Sequence, residues 1–218
     1  MLYRRKIILG LIEVFGGTID KLCLQKMLFL LSQQQEKPVY EFIPYHYGGY
    51  SFTAQWDINA LCARKFLEED EYTIALIRRW NHLIDLDERD IQIIRNLRRK
   101  YQKKNRNELL RNLYEQYPYY TTRSKLLEEV LDQEAQKRVE QHRCVEHRTV
   151  LFTIGYEGRS LENYLNALIR NGIRVLVDVR NNPVSRKPGF SKHQLERICR
   201  NVDIRHHQDL VIYYFCTI

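Results

Sequence analysis

From residue 150 onward the sequence alternates short apolar runs with glycine turns and amphipathic stretches, and this alternation narrows the fold more than any other feature. Val150-Leu151-Phe152-Thr153-Ile154 is a β-prone run. Gly155-Tyr156-Glu157-Gly158-Arg159 reads as a turn, and Ser160 can cap a helix reaching Asn171. Gly172 suits the position just past that helix. Residues 173–179 form a second run of the buried type, and a polar loop covers 180–190. Ser191 with Gln194 is a capping-box pattern opening a helix to about residue 200. Strand, helix, strand, helix with short connections predicts parallel strands in an α/β layer.

The first 150 residues follow a different rhythm. Ile7, Ile8, Leu11, Ile12 and Phe15 recur at helical spacing, and Gly16-Gly17 stops the pattern. Asp20 can cap a second helix to about Ser32, with Met27, Leu28 and Leu31 on its apolar face. Residues 39–47 are aromatic and β-prone, and Gly48-Gly49 marks a turn. Ser51 opens a third predicted helix to about Leu67, with Phe52, Trp56, Leu61 and Phe66 as core contacts. Residues 71–77 have the composition of a strand. This order is that of a winged-helix domain. A longer helix is predicted from 87 or 88 to about Tyr114, with Ile91, Ile94, Leu97 and Tyr101 along one face. Residues 123–147 read as a polar helix and linker. The expected organisation is a winged-helix-like domain over 1–80, a helical basic region and linker over 81–147, and a partial α/β domain over 148–218. The fold class is α+β, passing to α/β in the last third.

Composition excludes several classes. The 218 residues are 44% hydrophobic and carry 28% charged residues of both signs, which does not suit disorder. No apolar run approaches the ~18 residues that span a bilayer. Glu13 interrupts the first apolar stretch and no signal-peptide cleavage pattern follows, so a cytoplasmic location without a membrane partner is expected. The five cysteines are widely spaced and lack a C-x-x-C, which argues against a disulfide framework. His142-Arg-Cys144-Val-Glu-His147 offers three soft donors where zinc takes four. No metal and no cofactor are expected.

The 35 Lys and Arg exceed the 27 Asp and Glu, giving a net charge of +8. Part of the excess lies at Arg95, Arg98, Arg99, Lys100, Lys103, Lys104 and Arg106, with no acidic residue among them. Arg95, Arg99 and Lys103 step by four along one predicted helix face. Such a row repels itself unless an anion screens it. Arg95, Arg98, Arg99, Lys103 and Arg106 are therefore expected to contact nucleic-acid phosphates. A solvated helix face, RNA and an acidic protein are the competing readings. Glu68-Glu69-Asp70-Glu71 follows the third predicted helix and argues against sequence-specific DNA reading.

The rest of the excess, Arg180, Arg186, Lys187, Lys192, Arg197 and Arg200, belongs to the α/β part. Ligands of parallel sheets bind beyond the carboxyl ends of the strands. Two loops qualify, 155–160 and 178–192. Gly155 and Gly158 permit close backbone approach, and two helix N-termini would point at the same cleft. Arg159, Arg180, Arg186 and Lys192 would grip a phosphate. Tyr156 and Phe190 could stack on a base. Asp178 and Glu157 are the carboxylates available for acid–base work or for holding an arginine. Ser185 is a candidate nucleophile without a histidine at fixed spacing. Tight turns and an internal salt bridge are the plain readings of the same residues.

Leu151-Phe-Thr-Ile-Gly-Tyr-Glu-Gly-Arg-Ser160 and Leu176-Val-Asp-Val-Arg-Asn-Asn-Pro-Val-Ser-Arg-Lys-Pro-Gly-Phe-Ser-Lys192 resemble the two blocks of the DUF488 family. The resemblance implies a Rossmann-like parallel α/β domain with Gly155, Tyr156, Arg159, Asp178, Arg180, Pro183, Ser185, Arg186, Phe190 and Lys192 at signature positions. The family's biochemical activity is not established. Leu24-Gln-Lys-Met-Leu-Phe29 and Tyr47-Gly-Gly-Tyr-Ser51 are similar to pieces of the Panacea/SocA-like antitoxin group. DUF488 domains continue beyond the second helix, whereas here an uncharged stretch, 211–218, ends the sequence. The expectation is a truncated or frameshifted product whose last domain is incomplete. The leading functional expectation is a nucleic-acid-associated protein holding a nucleotide or other phosphate-bearing ligand in the DUF488 loops. The alternatives are an enzyme acting on nucleotide or nucleic acid through Asp178 or Glu157, and an antitoxin-like module that grips a protein partner or a second copy.

Overall fold

A computed structural model describes residues 1–78, 81–144 and 149–208. The chain divides into two units, Met1–His142 and Arg143–Ile218. It is a mixed α and β protein with a small antiparallel sheet in the first unit and a parallel strand pair in the second. No helix among the described residues is long and apolar enough to cross a membrane. The uncharged stretch 211–218 and His147 lie outside the described residues.

The first unit begins with α1 (Tyr3–Val14), β1 (Thr18–Asp20), α2 (Lys21–Ser32), α3 (Phe52–Ala63), β2 (Leu67–Glu69) and β3 (Thr73–Leu76). The strands pair in the order β1-β3-β2, all antiparallel, with Ile19 opposite Ile74 and Leu67 opposite Leu76. Two caps placed from sequence are formed. The Asp20 carboxylate accepts from the Cys23 amide at 2.8 Å, and the Ser51 hydroxyl from the Ala54 amide at 3.1 Å. The predicted third helix stops four residues early. Lys65 adopts φ +59°, and the amides of Lys65 and Phe66 close back onto the Cys62 and Leu61 carbonyls. This Schellman arrangement normally uses glycine, so a lysine there hides the stop from a sequence reading.

Next come α4 (Glu88–Tyr101), α5 (Arg106–Gln116), α6 (Leu127–Val130) and α7 (Gln133–Glu140). The single helix expected from 88 to 114 is thus two. Asn105 and Glu108 form a reciprocal capping box, each side chain accepting the other's amide at 2.9 Å. That gain at a fresh N-terminus favours a break over a continuous, self-repelling cationic helix. Ile7, Leu11, Leu28, Phe29, Ile94, Leu110, Tyr114 and Val139 belong to one hydrophobic core that spans the unit.

The β-prone segment 39–47 forms no strand and contributes the isolated bridges Ile43–Tyr50 and His46–Gly48. The turn that follows it is pinned by α2. Gln25 exchanges two hydrogen bonds with the Ser51 backbone, and the buried Lys26 ammonium donates to the Gly49 carbonyl at 2.8 Å. The two short sequence pieces 24–29 and 47–51 are therefore one contact.

The second unit contains α8 (Leu161–Arg170), β4 (Val175–Asp178), α9 (Lys192–Asn201) and β5 (Arg205–Gln208). The Ser160 hydroxyl caps α8 by accepting from the Asn163 amide at 2.9 Å. Gly172 ends it at φ +63°, where an added Cβ would meet the Cys144 sulfur at 3.2 Å. The capping box expected at Ser191 is not made. Gln194 instead accepts from the Gly189 amide at 3.0 Å and ties down the loop. Residues 150–154 are not a strand, and Leu151 is 92% exposed. The parallel partner of β4 is β5, with Leu176 opposite His206 and Asp178 opposite Gln208. β4 buries Leu176 and Asp178 and exposes Val175 and Val177, so it is covered on one face.

Candidate functional site

The second unit has a cleft of about 540 Å³ lined by the 150–154 segment, α8, β4 and the loop after it. Tyr156, Arg159, Asp178, Arg180 and Phe190 contribute side chains to it. The loops before α8 and after β4 both line it, although the strand at 150–154 on which that expectation rested is absent.

Asp178 and Arg180 organise this end. Asp178 is 6% exposed at the last position of β4. Arg180 folds back so that Nε and Nη2 reach the two carboxylate oxygens at 2.8 and 2.5 Å, while Nη1 donates to the Phe190 carbonyl at 2.8 Å. The guanidinium also lies over the Tyr156 ring, 5.1 Å from its centroid. Tyr156 stacks on Phe190 at 5.0 Å, and Tyr164 meets Phe190 edge-on at 5.3 Å. The Lys187 ammonium donates to the Tyr156 carbonyl at 2.8 Å. One guanidinium thereby joins a strand end, an aromatic pair and the 180–190 loop.

The electrostatics follow from this packing. Hydrogen bonds from Arg180 hold the Asp178 carboxyl below the usual carboxylate range, and Asp178 pushes the guanidinium further toward its charged form. Sequence reading did not single out His206 as a site residue. Its side chain is 2% exposed, with Nε2 3.6 Å from the Asp178 carboxylate and, among the described residues, no hydrogen-bond partner for that nitrogen. Burial pulls its pKa down, against the pull of Asp178. The signal that could have found it is position: a polar residue at an inward-facing place in the strand after α9.

The remaining candidates are spread around the rim. Gly155, Glu157, Gly158 and Arg159 are exposed in the turn before α8, with Gly158 at φ +69°. Arg159 donates to Asn163 at 2.9 Å. Ser185 accepts from the Lys187 amide at 3.2 Å, Arg186 is exposed, and Lys192 is half-buried at the start of α9. Glu157 and Asp178 share no hydrogen bond among the described residues. Two groups thus separate: Tyr156, Asp178 and Arg180 are locked together, while Glu157, Arg159 and Arg186 face solvent.

In the first unit, Arg95, Arg98 and Arg99 lie on α4, Lys103 in the connection after it, and Arg106 at the first position of α5. All five are exposed, and none forms an ion pair among the described residues. Arg98 and Arg99 donate to Gln102 and Asn96. The ammonium groups of Lys100 and Lys104 sit 5.2 and 5.3 Å from the Tyr101 ring centroid. The expected single helix face of Arg95, Arg99 and Lys103 is interrupted, because α4 ends before Lys103.

The fold and the site define the second unit as a small α/β module whose two loops converge at a strand end. Residues 160–211 match the family described as Domain of unknown function DUF488. The chain therefore carries a DUF488 domain. The match covers the Asp178–Lys192 block and begins just after the Gly155–Arg159 turn. No curated protein and no solved structure matches the chain.

Proposed function

We propose that this is a nucleic-acid-binding protein whose first unit grips phosphate backbone through Arg95, Arg98, Arg99, Lys103 and Arg106. The carrying observation is that these five cations are all exposed and not ion-paired among the described residues, with Lys100 and Lys104 beside them. Mutually repelling guanidinium groups on one short helix suit a partner that supplies negative charge. The element order, with strands paired β1-β3-β2, supports reading 1–80 as winged-helix-like and 81–147 as its basic companion.

In the second unit, read as a Rossmann-like domain over 148–218, Gly155, Tyr156, Gly158, Arg159, Ser185, Arg186 and Lys192 would surround a phosphate-bearing ligand. Arg180 holds the cleft wall rather than the ligand, because its nitrogens already serve Asp178 and Phe190. Asp178 then acts by fixing Arg180, and Glu157 is the carboxylate open to a ligand.

The test is titration of duplex DNA with the full chain at several salt concentrations. Reversing Arg95, Arg99 and Lys103 to glutamate is expected to weaken binding and to lower the salt slope by about 3. An unchanged slope overturns the reading.

A further inference from the structure

The first unit carries a stack of aromatic rings that the hydrophobic core does not use. Tyr45 is the middle ring. His46 lies against one side at 4.2 Å with 17° between planes, and Tyr50 at 4.7 Å and 26°. Phe52 meets both tyrosines edge-on at 5.6 and 5.1 Å, and Trp56 continues from Phe52 at 6.4 Å. All five rings are half-buried, so the row is open to solvent along part of its length.

The support beneath is rigid. The Gly48–Gly49 turn carrying these rings is tied to α2 by Lys26 and Gln25, and Phe29 packs against Gly49. Cations flank the row. The amide of the exposed Lys125 donates to the His46 carbonyl at 2.9 Å, which places that lysine at the His46 end. Next to Trp56 in sequence, Asp57 takes Arg4 and Arg5 together. The end of the basic run shares a helix with this support: Arg106 opens α5, whose Tyr114 packs against Gly48.

We infer that Tyr45, His46, Tyr50, Phe52 and Trp56 form a base-stacking platform for single-stranded nucleic acid, with Lys125 and the 95–106 run tracking its backbone. Rings on a fixed support beside cations are the usual recipe for single-strand binding, since every base has a π face. Bases paired inside a duplex cannot offer those faces. This inference rests on the nucleic-acid reading of the first unit and names the form of nucleic acid bound.

The experiment uses the full chain, a fluorescein-labelled deoxythymidine oligonucleotide and a labelled duplex, followed by anisotropy across salt concentrations. Single strand is expected to bind more tightly than duplex. Phe52→Leu and Tyr50→Leu are each expected to weaken single-strand binding about ten-fold with the salt slope unchanged, because these rings carry no charge. Lys125→Glu is expected to lower the slope by about one. It serves as the second variant should Tyr50→Leu shift the melting transition. If ring variants bind single strand within about two-fold of wild type while reversal at Arg95 and Arg99 still weakens binding, the platform is refuted and the backbone reading stands. If the unmodified chain binds neither probe in a salt-dependent way, both readings fall.

Discussion

Gln25 and Ser51 exchange two hydrogen bonds across 26 residues of chain, from Gln25 Nε2 to the Ser51 carbonyl at 3.3 Å and from the Ser51 amide to Oε1 at 3.2 Å. Both residues are buried, at 4% and 0% exposed, and Ser51 is also the cap of α3. Gln25 therefore decides where α3 begins and how the Gly48–Gly49 turn sits. Gln25→Leu removes both bonds at similar volume and is expected to cost about 2 kcal/mol. The urea midpoint of the full chain checks it, and an unchanged midpoint would show the contact to be energetically idle.

Lys26, the next residue, makes the stability of the first unit rise with pH above neutrality. Burial lowers its pKa to about 7. The unfolded chain holds that proton up to about 10.4. Between those values the unfolded state binds more protons, so stability rises with pH through the window and the penalty is full below 7. The expected rise is at most about 1.4 kcal/mol per pH unit. Lys26→Met should flatten the rise, measured as urea midpoints at pH 7, 8 and 9. A slope that survives the substitution would assign it to another group.

The Asp178–Arg180 pair is expected to hold the second unit together. Their side chains are 4% and 19% exposed. Arg180→Ala leaves a buried carboxylate without its clamp and is expected to cost about 3 kcal/mol. The Asp178 pKa is lowered by folding, so its contribution is present above the ordinary value near 3.9 and is lost as pH falls through and below it. Corrected for the intrinsic exchange rate at each pH, the protection of amides 175–178 in the full chain should fall on acidification through that range. Asp178→Asn should show a shallower pH dependence.

Lys65→Gly is expected to stabilise the first unit by about 1 kcal/mol. The residue is exposed and held at φ +59°, where a Cβ is penalised. A raised melting temperature confirms it. Gly172→Ala reverses the logic, since its φ is +63° and the new methyl would press on Cys144. That variant should melt lower.

Local features were legible where one residue type has one physical use. Asp20, Ser51 and Ser160 were readable as helix caps because a short polar side chain before an apolar stretch satisfies an orphan amide. Gly172 was readable because few other residues tolerate its backbone. Lys65 was not, because a lysine can occupy that region at a cost that sequence does not display. The break at Asn105 is masked in the sequence because helical spacing of apolar residues continues on both sides of it.

The sequence by itself determined the α-helical register of the first unit, the α/β character of the last third, the position of its two glycine- and arginine-rich loops, and the DUF488 resemblance. These follow from periodicity, capping and spacing, all properties of neighbours in the chain. The tertiary structure alone decided which groups meet. It paired β4 with β5 rather than with 150–154, set His206 beside Asp178, spent Arg180 on its own strand end, and brought residues 24–29 onto 47–51. Strand partnership and side-chain satisfaction depend on what is left unpaired once the whole chain is compact, and that balance is not written in any one segment.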